Sequence, residues 1–546
     1  MDARFRPFRL CALRKGRAAA IVLLGAFLCS TALPAQQDEK PANAPPPERS
    51  KASTPEDRAK RLLEFHSSIA WRTLSRGNLK RAEAMFRDIL RRDPDRPDDI
   101  AGLSAALARQ EKLDDAIKVL SDGTARFPDN AKLASALGQA YLNSKDNRSA
   151  MKWLQRAYWL KPDAPNSRYF LGSSYLNCGY PLLALRTMCG AETSTRELGW
   201  AQDLGIGIAF SQLNLQCEAS GYFTSVSNAA EGTPLADNAS RLLDDMDKAL
   251  LSREYFRGSL RYSRRYDDNP GVIPSSSATG ASLTSVPSAG NFYQGEFSYD
   301  LIREYNYDLA TGYSFLHTSN DKVHRFDVID NGIFLAANRR AFWRDMPVNA
   351  GLRFDYDHLL VGSDDFLQRF VATPSLTFTE TDEDATTVMF RYSKGDFLRQ
   401  GLFNNTSFDL DYDNLLFGVQ HERQLFCRAM SIFGGYEYDL NISQGANYDY
   451  GGHKLRVGLN WKLPLNDLRL NVLGEYYFRD YDNRHSLLGQ FRRDDQYLVQ
   501  VALVYPVNER WNLWLEWNYD RNDSNLVIND YTRHVAALGP EYRFPK

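Results

Sequence analysis

Two periodicities divide the chain. Between residue 59 and about residue 250, small and apolar positions recur at helical spacing inside a longer repeat. Ala82, Ala116, Ala150 and Ala184 stand 34 residues apart, and Pro94, Pro128 and Pro162 keep the same step. An alanine followed twelve residues later by a proline puts a small side chain where two helices cross, and a breaker where the second has ended. Two units add Leu137, Gly138 and Tyr141, then Leu171, Gly172 and Tyr175. A fifth, displaced by one residue, carries Ile206, Gly207, Phe210, Ala219 and Phe223. The stretch ending at Lys248 predicts a closing helix with polar outer positions at Asp237, Asn238, Arg241, Asp244 and Asp245, suited to capping a stack.

From Phe256 onward the period becomes two. Trp511, Leu513, Leu515, Trp517 and Tyr519 alternate with Asn512, Trp514, Glu516, Asn518 and Asp520, and His453, Leu455, Val457, Leu459 and Trp461 alternate with Lys454, Arg456, Gly458 and Asn460. Successive strand side chains point to opposite faces, so each segment has one apolar and one mostly polar face. Fourteen such segments are expected, centred near residues 260, 297, 311, 332, 353, 374, 390, 412, 435, 457, 474, 501, 515 and 538. The fourth, over Val328 to Ala337, alternates poorly, and the eighth changes phase between Asp413 and Leu415, which predicts a bulge. Connections after odd strands are long or polar (Asp267 to Asn291, Ser319 to His324, Gly362 to Leu367, Arg399 to Asn405, Ser443 to Asp449, Asn483 to Arg492, Asn522 to Asp530). Those after even strands are short (Arg303 to Asn306, Asp382 to Ala385, Leu465 to Asp467, Asn508 to Arg510). A soluble sandwich has no reason to sort its loops this way, whereas an outer-membrane barrel has short periplasmic turns and long outer loops.

Composition separates the same two materials. Of 59 Phe and Tyr residues, 15 precede residue 255. A chain of 546 residues that is 43% hydrophobic and 25% charged holds several ordinary cores. Its mean hydropathy of -0.47 argues against a helical membrane protein and leaves a barrel open. The net charge of -2 provides no electrostatic reason to expect nucleic acid. Arg4, Arg6, Arg9, Arg14, Lys15 and Arg17 before the apolar stretch Ala18 to Leu28 read as a secretory signal, and the bulky Leu28 argues against lipid modification at Cys29. Residues 36–58, rich in Pro, Ala and charge, read as a disordered tether. Cys178, Cys189, Cys217 and Cys427 would then meet an oxidising compartment, and one disulfide among the first three is open.

No GxSxG, GxxxxGK[ST] or HExxH pattern occurs, the eight histidines are scattered singly, and no enzyme activity, metal or cofactor is expected. Asp409, Asp411 and Asp413, alternate in sequence, would share one strand face and line a polar lumen wall. With the apolar set towards lipid, Arg257, Arg261, Arg353, Arg391, Lys454, Arg456, Glu475, Arg479 and Glu516 also face inward, either stiffening the wall in pairs or lining a path for a charged or hydroxylated polymer. Stacked helical hairpins leave a concave groove. Its expected wall is Lys132, Ser135, Gln139 and Asn143 in the third repeat, with Asn166, Tyr169, Ser173 and Asn177 in the fourth. Asn143 and Asn177 either bind an extended backbone or sugar there, or simply end their helices.

The small, aromatic and proline positions of the 34-residue unit resemble the tetratricopeptide repeat (TPR), and four clear units exceed the roughly three needed for a stable stack. The expected fold class is therefore an α + β multidomain chain: an N-terminal α-solenoid of TPR repeats followed by a 14-stranded antiparallel transmembrane β-barrel. With Tyr266-Asp267-Asp268-Asn269 closing the first strand and the terminal aromatic Phe544, this order resembles the surface lipoprotein assembly modulator (Slam) family. Exopolysaccharide export porins share the architecture. The resemblance implies an outer-membrane translocator with a periplasmic cargo- or chaperone-docking domain, delivering proteins to the cell surface. A polysaccharide exporter and a TPR scaffold on a closed barrel are the alternatives. The partners it implies are outer-membrane lipid, the barrel assembly machinery, and a periplasmic chaperone or exported protein, with polysaccharide as the alternative cargo and no nucleic acid.

The expected division is 1–35 signal peptide, 36–58 tether, 59–252 periplasmic TPR domain and 253–546 barrel. Mass spectrometry of the mature N-terminus is expected to find cleavage after Ala32 or Ala35; an intact leader on the assembled protein would exclude it.

Overall fold

A computed structural model describes residues 55–164, 166–274, 286–398 and 406–544. The signal, residues 36–54 of the expected tether and Cys29 lie outside these, while residues 55–58, expected as the end of the tether, begin the first helix. The chain forms two compact units that meet in sequence between Asp245 and Met246.

The first unit is a series of helical hairpins: α1 (Pro55–Ser75) with α2 (Leu79–Arg92), α3 (Pro97–Ala108) with α4 (Leu113–Arg126), α5 (Ala131–Asn143) with α6 (Asn147–Leu160), α7 (Ser167–Asn177) with α8 (Pro181–Met188), and α9 (Arg196–Gln212) with α10 (Gln216–Ala229). The closing helix α11 is Pro234–Ser252. Ala82, Ala116, Ala150 and Ala184 each sit on a second helix at 0% exposure, so the period reports the crossing points of the stack. Four residues after each alanine comes a fully buried large side chain, Phe86, Leu120, Leu154 and Met188. These knobs need holes. A Cβ on Gly138 would lie 2.5 Å from Leu154 Cγ, one on Gly172 2.3 Å from Met188 Cγ, and one on Gly207 2.6 Å from the Phe223 ring. The one-residue slip of the fifth unit therefore preserves the knob and its hole. Prolines 94, 128 and 162 follow the ends of α2, α4 and α6.

One buried charge in this unit was not singled out from sequence. Glu83 on α2 is 6% exposed and accepts from Gln110 Nε2 at 2.8 Å and Lys112 Nζ at 3.0 Å, with Arg87 one turn along. It ties the first hairpin to the turn between α3 and α4.

The second unit is a closed antiparallel barrel of fourteen strands. They are β1 (Phe256–Asp267), β2 (Ser288–Arg303), β3 (Tyr307–Asn320), β4 (Val328–Trp343), β5 (Met346–Val361), β6 (Asp364–Thr379), β7 (Asp384–Phe397), β8 (Tyr412–Leu425), β9 (Met430–Ser443), β10 (Tyr450–Lys462), β11 (Arg469–Arg484), β12 (Phe491–Pro506), β13 (Trp511–Ser524) and β14 (Tyr531–Arg543). Each pairs with its sequence neighbour, and β14 returns to β1. The poorly alternating fourth segment is a full strand. The eighth begins at Tyr412, and its pairings with β7 and β9 run without a register shift, so the change of phase near Asp413 marks a loop-to-strand junction where a bulge was expected. The connection expected over Gly362 to Leu367 shrinks to Gly362 and Ser363, both left-handed at φ 60° and 73°, which is tight-turn geometry.

Large apolar side chains face outward along the whole length of the strands. At the short-turn end Phe256, Tyr299, Trp343, Tyr505 and Trp511 are exposed; towards the other end Tyr266, Tyr293, Tyr356 and Tyr497 are exposed; Leu335, Phe354, Phe390, Leu455, Leu515 and Trp517 lie between. An apolar outer surface with aromatic residues towards both ends is the surface a bilayer requires. Among the described residues no helix is long and apolar enough to cross a membrane.

Burial pushes the Glu83 carboxyl up, but the hydrogen bonds from Lys112 and Gln110 and the charge of Arg87 outweigh it, holding Glu83 below its ordinary value. Its contribution is thus present above pH 4.5, its unfolded value, and is lost as pH falls through the lower folded value. Glu83→Gln is expected to cost about 1–3 kcal/mol at neutral pH. The difference from the parent should shrink in acid, as read from thermal melts of the helical signal at several pH values.

Candidate functional site: groove and lumen

The eight residues expected along the groove recur in step on α5 and α7, or on the turn just before α7, and their surroundings differ. Lys132 is exposed and pairs with Asp98 on α3 at 2.9 Å. Gln139 Nε2 donates to Ser135 Oγ at 3.1 Å. Asn166 precedes α7 at φ 68° and exchanges two hydrogen bonds with Ser194, one to its hydroxyl at 2.9 Å and one from its backbone N–H at 2.8 Å. Ser173 Oγ donates to the Tyr169 carbonyl at 2.9 Å, and burial raises the Tyr169 phenol above its ordinary value, so it stays protonated. Asn143 and Asn177 are the last helical residues of α5 and α7, and both are exposed. They lie at the ends of their helices and turn amides to solvent.

In the barrel, inward charges are paired along the wall. Lys454 and Arg456 on β10 stand between Glu437 on β9 and Glu475 on β11: Lys454 at 3.8 and 3.5 Å, Arg456 at 3.1 and 3.3 Å. Arg479 on β11 reaches Asp494 at 3.4 Å, Gln496 at 3.1 Å and Asn522 at 2.9 Å, crossing two strands. Arg261 on β1 meets Glu516 on β13 at 2.5 Å and lies over the Trp514 ring. Arg257 pairs with Asp300, Arg353 with Asp355 at 2.7 Å, and Arg391 donates to Asn414 at 3.5 Å. Among the described residues, every barrel ion pair joins a strand to itself or to one no more than two strands away, or involves a connecting loop. The arginines and lysines thus brace the wall from within and do not bridge its diameter.

The aspartate row is corrected. Asp409 and Asp411 precede β8, where Asp409 Oδ1 accepts the Asp411 N–H at 3.0 Å and Asp411 Oδ1 accepts the Phe397 N–H at 2.6 Å. Asp413 is exposed and takes the Tyr392 hydroxyl at 2.5 Å, on the face opposite the buried Asn414. The three carboxylates therefore do not line one strand face; strand spacing was applied to residues that form a loop. Among the described residues no group of three or more His, Cys, Asp or Glu could hold a metal ion, and no disulfide joins Cys178, Cys189, Cys217 and Cys427 to one another.

Sequence reasoning missed how the long connections are fixed. Asn320 donates to Asp327 at 2.9 Å, Asn441 to the Tyr448 carbonyl at 3.0 Å, and Asn522 to the Asn529 carbonyl at 2.6 Å. Each is a buried Asn at or near a strand end, holding the one-turn 3-10 segment that follows. The recurrence of Asn followed seven or eight residues later by Asp, as in Asn320/Asp327, Asn441/Asp449 and Asn522/Asp530, was the available signal. Three neighbouring connections also lock together. Asn447 and Ser486 exchange hydrogen bonds at 3.0 and 2.8 Å, and Phe408 stands edge-on to His485 at 5.8 Å. Burial, then the Arg492 charge, holds the His485 ring below its ordinary value, so it is neutral at pH 7.

Glu437→Ala would leave two cations facing one carboxylate, an imbalance worth about 3–5 kcal/mol in a buried setting. It should lower the temperature at which the folded barrel disappears in semi-native electrophoresis. Asp523→Ala, which breaks an exposed 3.7 Å pair with Arg521, should change stability by no more than about 1 kcal/mol.

Residues 73–136 and 107–170 match the sequence model of the tetratricopeptide repeat, and residues 384–544, strands β7 to β14, match that of the surface lipoprotein assembly modifier. No curated protein matches the chain. Among solved structures, MamA 41-end from Desulfovibrio magneticus RS-1 is similar at 18% identity over 31% of this chain and 97% of its own, with a TM-score of 0.27. A crystal structure of MamA is similar at 22% identity over 30% of this chain and 95% of its own, with a TM-score of 0.25. The chain joins tetratricopeptide repeats to an outer-membrane β-barrel whose strands β7 to β14 match the surface lipoprotein assembly modifier family.

Proposed function

We propose that this protein assists the assembly of lipid-modified proteins at the cell surface: its repeat domain receives cargo, or a chaperone carrying it, in the periplasm, and its barrel provides the passage. The observation that carries the reading is the family match over β7 to β14 in a chain whose preceding domain is a repeat array. The first strand begins and the last strand ends on the short-turn side of the barrel, which supports a periplasmic repeat domain. Bracing of lumen charges against the wall supports a passage over a plugged anchor. In the groove, the exposed amides of Asn143 and Asn177, with Gln139 between Ser135 and the helix end, suit an extended polypeptide backbone.

The test is surface protease shaving with mass spectrometry on parent and deletion cells, after general barrel assembly is shown intact. Loss of one or a few lipoproteins from the surface, with their accumulation inside, is expected. An unchanged surface proteome together with lost glycan staining would replace this reading with polysaccharide export. Replacing Tyr169 and Asn177 by Ala should reduce display of the same lipoproteins while leaving the barrel folded; full display would remove those residues from the docking site.

A further inference from the structure

A cargo polypeptide carrying acyl chains poses a problem that a polar lumen does not solve, because each methylene held in water costs about 0.8 kcal/mol. The acyl end needs a way through the wall, and the strand ladders show where the wall is weakest. The β14–β1 ladder runs from Val535 opposite Asp267 to Leu538 opposite Arg264, and resumes at Glu541 opposite Arg261. Between them Gly539 and Pro540 are unpaired with Ser263 and Tyr262. Pro540 has no N–H to donate, and Gly539 lies so close that a Cβ there would stand 2.0 Å from the Tyr262 carbonyl oxygen. This is also the one neighbouring pair in the barrel that no hairpin joins.

A second break lies almost opposite. The β6–β7 ladder stops at Ala372 opposite Tyr392 and resumes at Ser375 opposite Met389, with Pro374 in the gap. Two proline-broken lines thus divide the wall into panels of six and eight strands, one line free to part and the other tied by a short turn.

The free line is clasped at both ends. Beside the long connections, Asp267 takes Arg533 Nη2 at 2.6 Å, Asp268 accepts the His534 N–H at 2.7 Å, and Asn269 donates to the Thr532 carbonyl at 3.1 Å. The Tyr266-Asp267-Asp268-Asn269 motif is therefore a bolt between the first and last strands. At the other end Phe544 packs on Phe256 and Phe297, each at 5.7 Å, and its N–H reaches the Gly258 carbonyl at 2.9 Å. Those contacts are apolar rings in a lipid-facing setting, which an acyl chain can replace contact for contact.

Resting on the function proposed above, we infer that the wall parts between β14 and β1 at the Gly539–Pro540 break, flexing at Pro374, and that this seam admits the acyl-bearing end of a lipid-modified cargo to the bilayer. The Asp267–Arg533 bolt recloses it.

The test is a disulfide across the seam in the full-length protein in cells, using Arg264→Cys with Leu538→Cys, a directly opposed pair. Leu515→Cys with Leu538→Cys places the same bond between β13 and β14, where the ladder is unbroken. Cross-linking is verified by mass spectrometry, and surface lipoproteins are measured by shaving with and without reductant. The expected result is loss of most lipoprotein display in the oxidised seam variant, its return on reduction, and no loss in the oxidised β13–β14 variant. Full display from a completely cross-linked seam would overturn the inference, as would equal loss from both cross-links. A deletion strain whose surface lipoproteins are unchanged would instead overturn the function on which the inference rests, so the two failures are distinct.

Discussion

Backbone N–H and C=O groups in hydrocarbon have no water to bond, so a sheet that crosses a membrane must close on itself. That constraint organises the second unit of this protein. Fourteen strands are joined by short connections at one end, and the first and last strands must find each other across nearly the whole length of the domain. Closure there is achieved by side chains as much as by the ladder. Asp267, Asp268 and Asn269 hold Arg533, His534 and Thr532 at one end, and Phe544 covers β1 and β2 at the other. The main-chain interruption at Pro540 is tolerated because both of its flanks are held.

The same closure dictates where charge goes. Alternation sends every second side chain inward, and inward charge away from bulk water must be paired. The pairs run around the wall, as in Glu437–Arg456–Glu475 and Arg479–Asp494, because adjacent strands present partners at about 5 Å while the far wall is out of reach. The interior wall is thereby stiffened by pairs that run around it. Outside the strands the logic changes: buried Asn side chains at the strand ends anchor one-turn helices and give the long connections a defined shape.

The helical unit solves a different problem with repetition. Each hairpin buries a large side chain of its second helix, and in three hairpins a glycine of the first helix receives it, as in Leu154 on Gly138. Because the interface is the same from unit to unit, exposed positions also recur, and Asn143 and Asn177 fall in register without any contact between them being required.

Periodicity was sufficient for architecture. The 34-residue step of Ala82 to Ala184, the two-residue alternation after Phe256 and the sorting of loop lengths determine a repeat solenoid followed by an even-stranded barrel, because each reports a local geometry that every residue in the segment must obey. The same reasoning failed where the local rule stopped applying. Asp409, Asp411 and Asp413 alternate like strand residues but form a loop capped by its own carboxylates, and Gly362 begins a two-residue turn where a longer connection was expected. Glu83 with Lys112, Arg479 with Asn522, and Asp267 with Arg533 are separated by 29, 43 and 266 residues. No periodicity links such partners. Sequence by itself determined which material each half is made of; only the tertiary structure decided which charges meet and where the wall is bolted or broken, because those depend on strand register and ring closure, which no local segment contains.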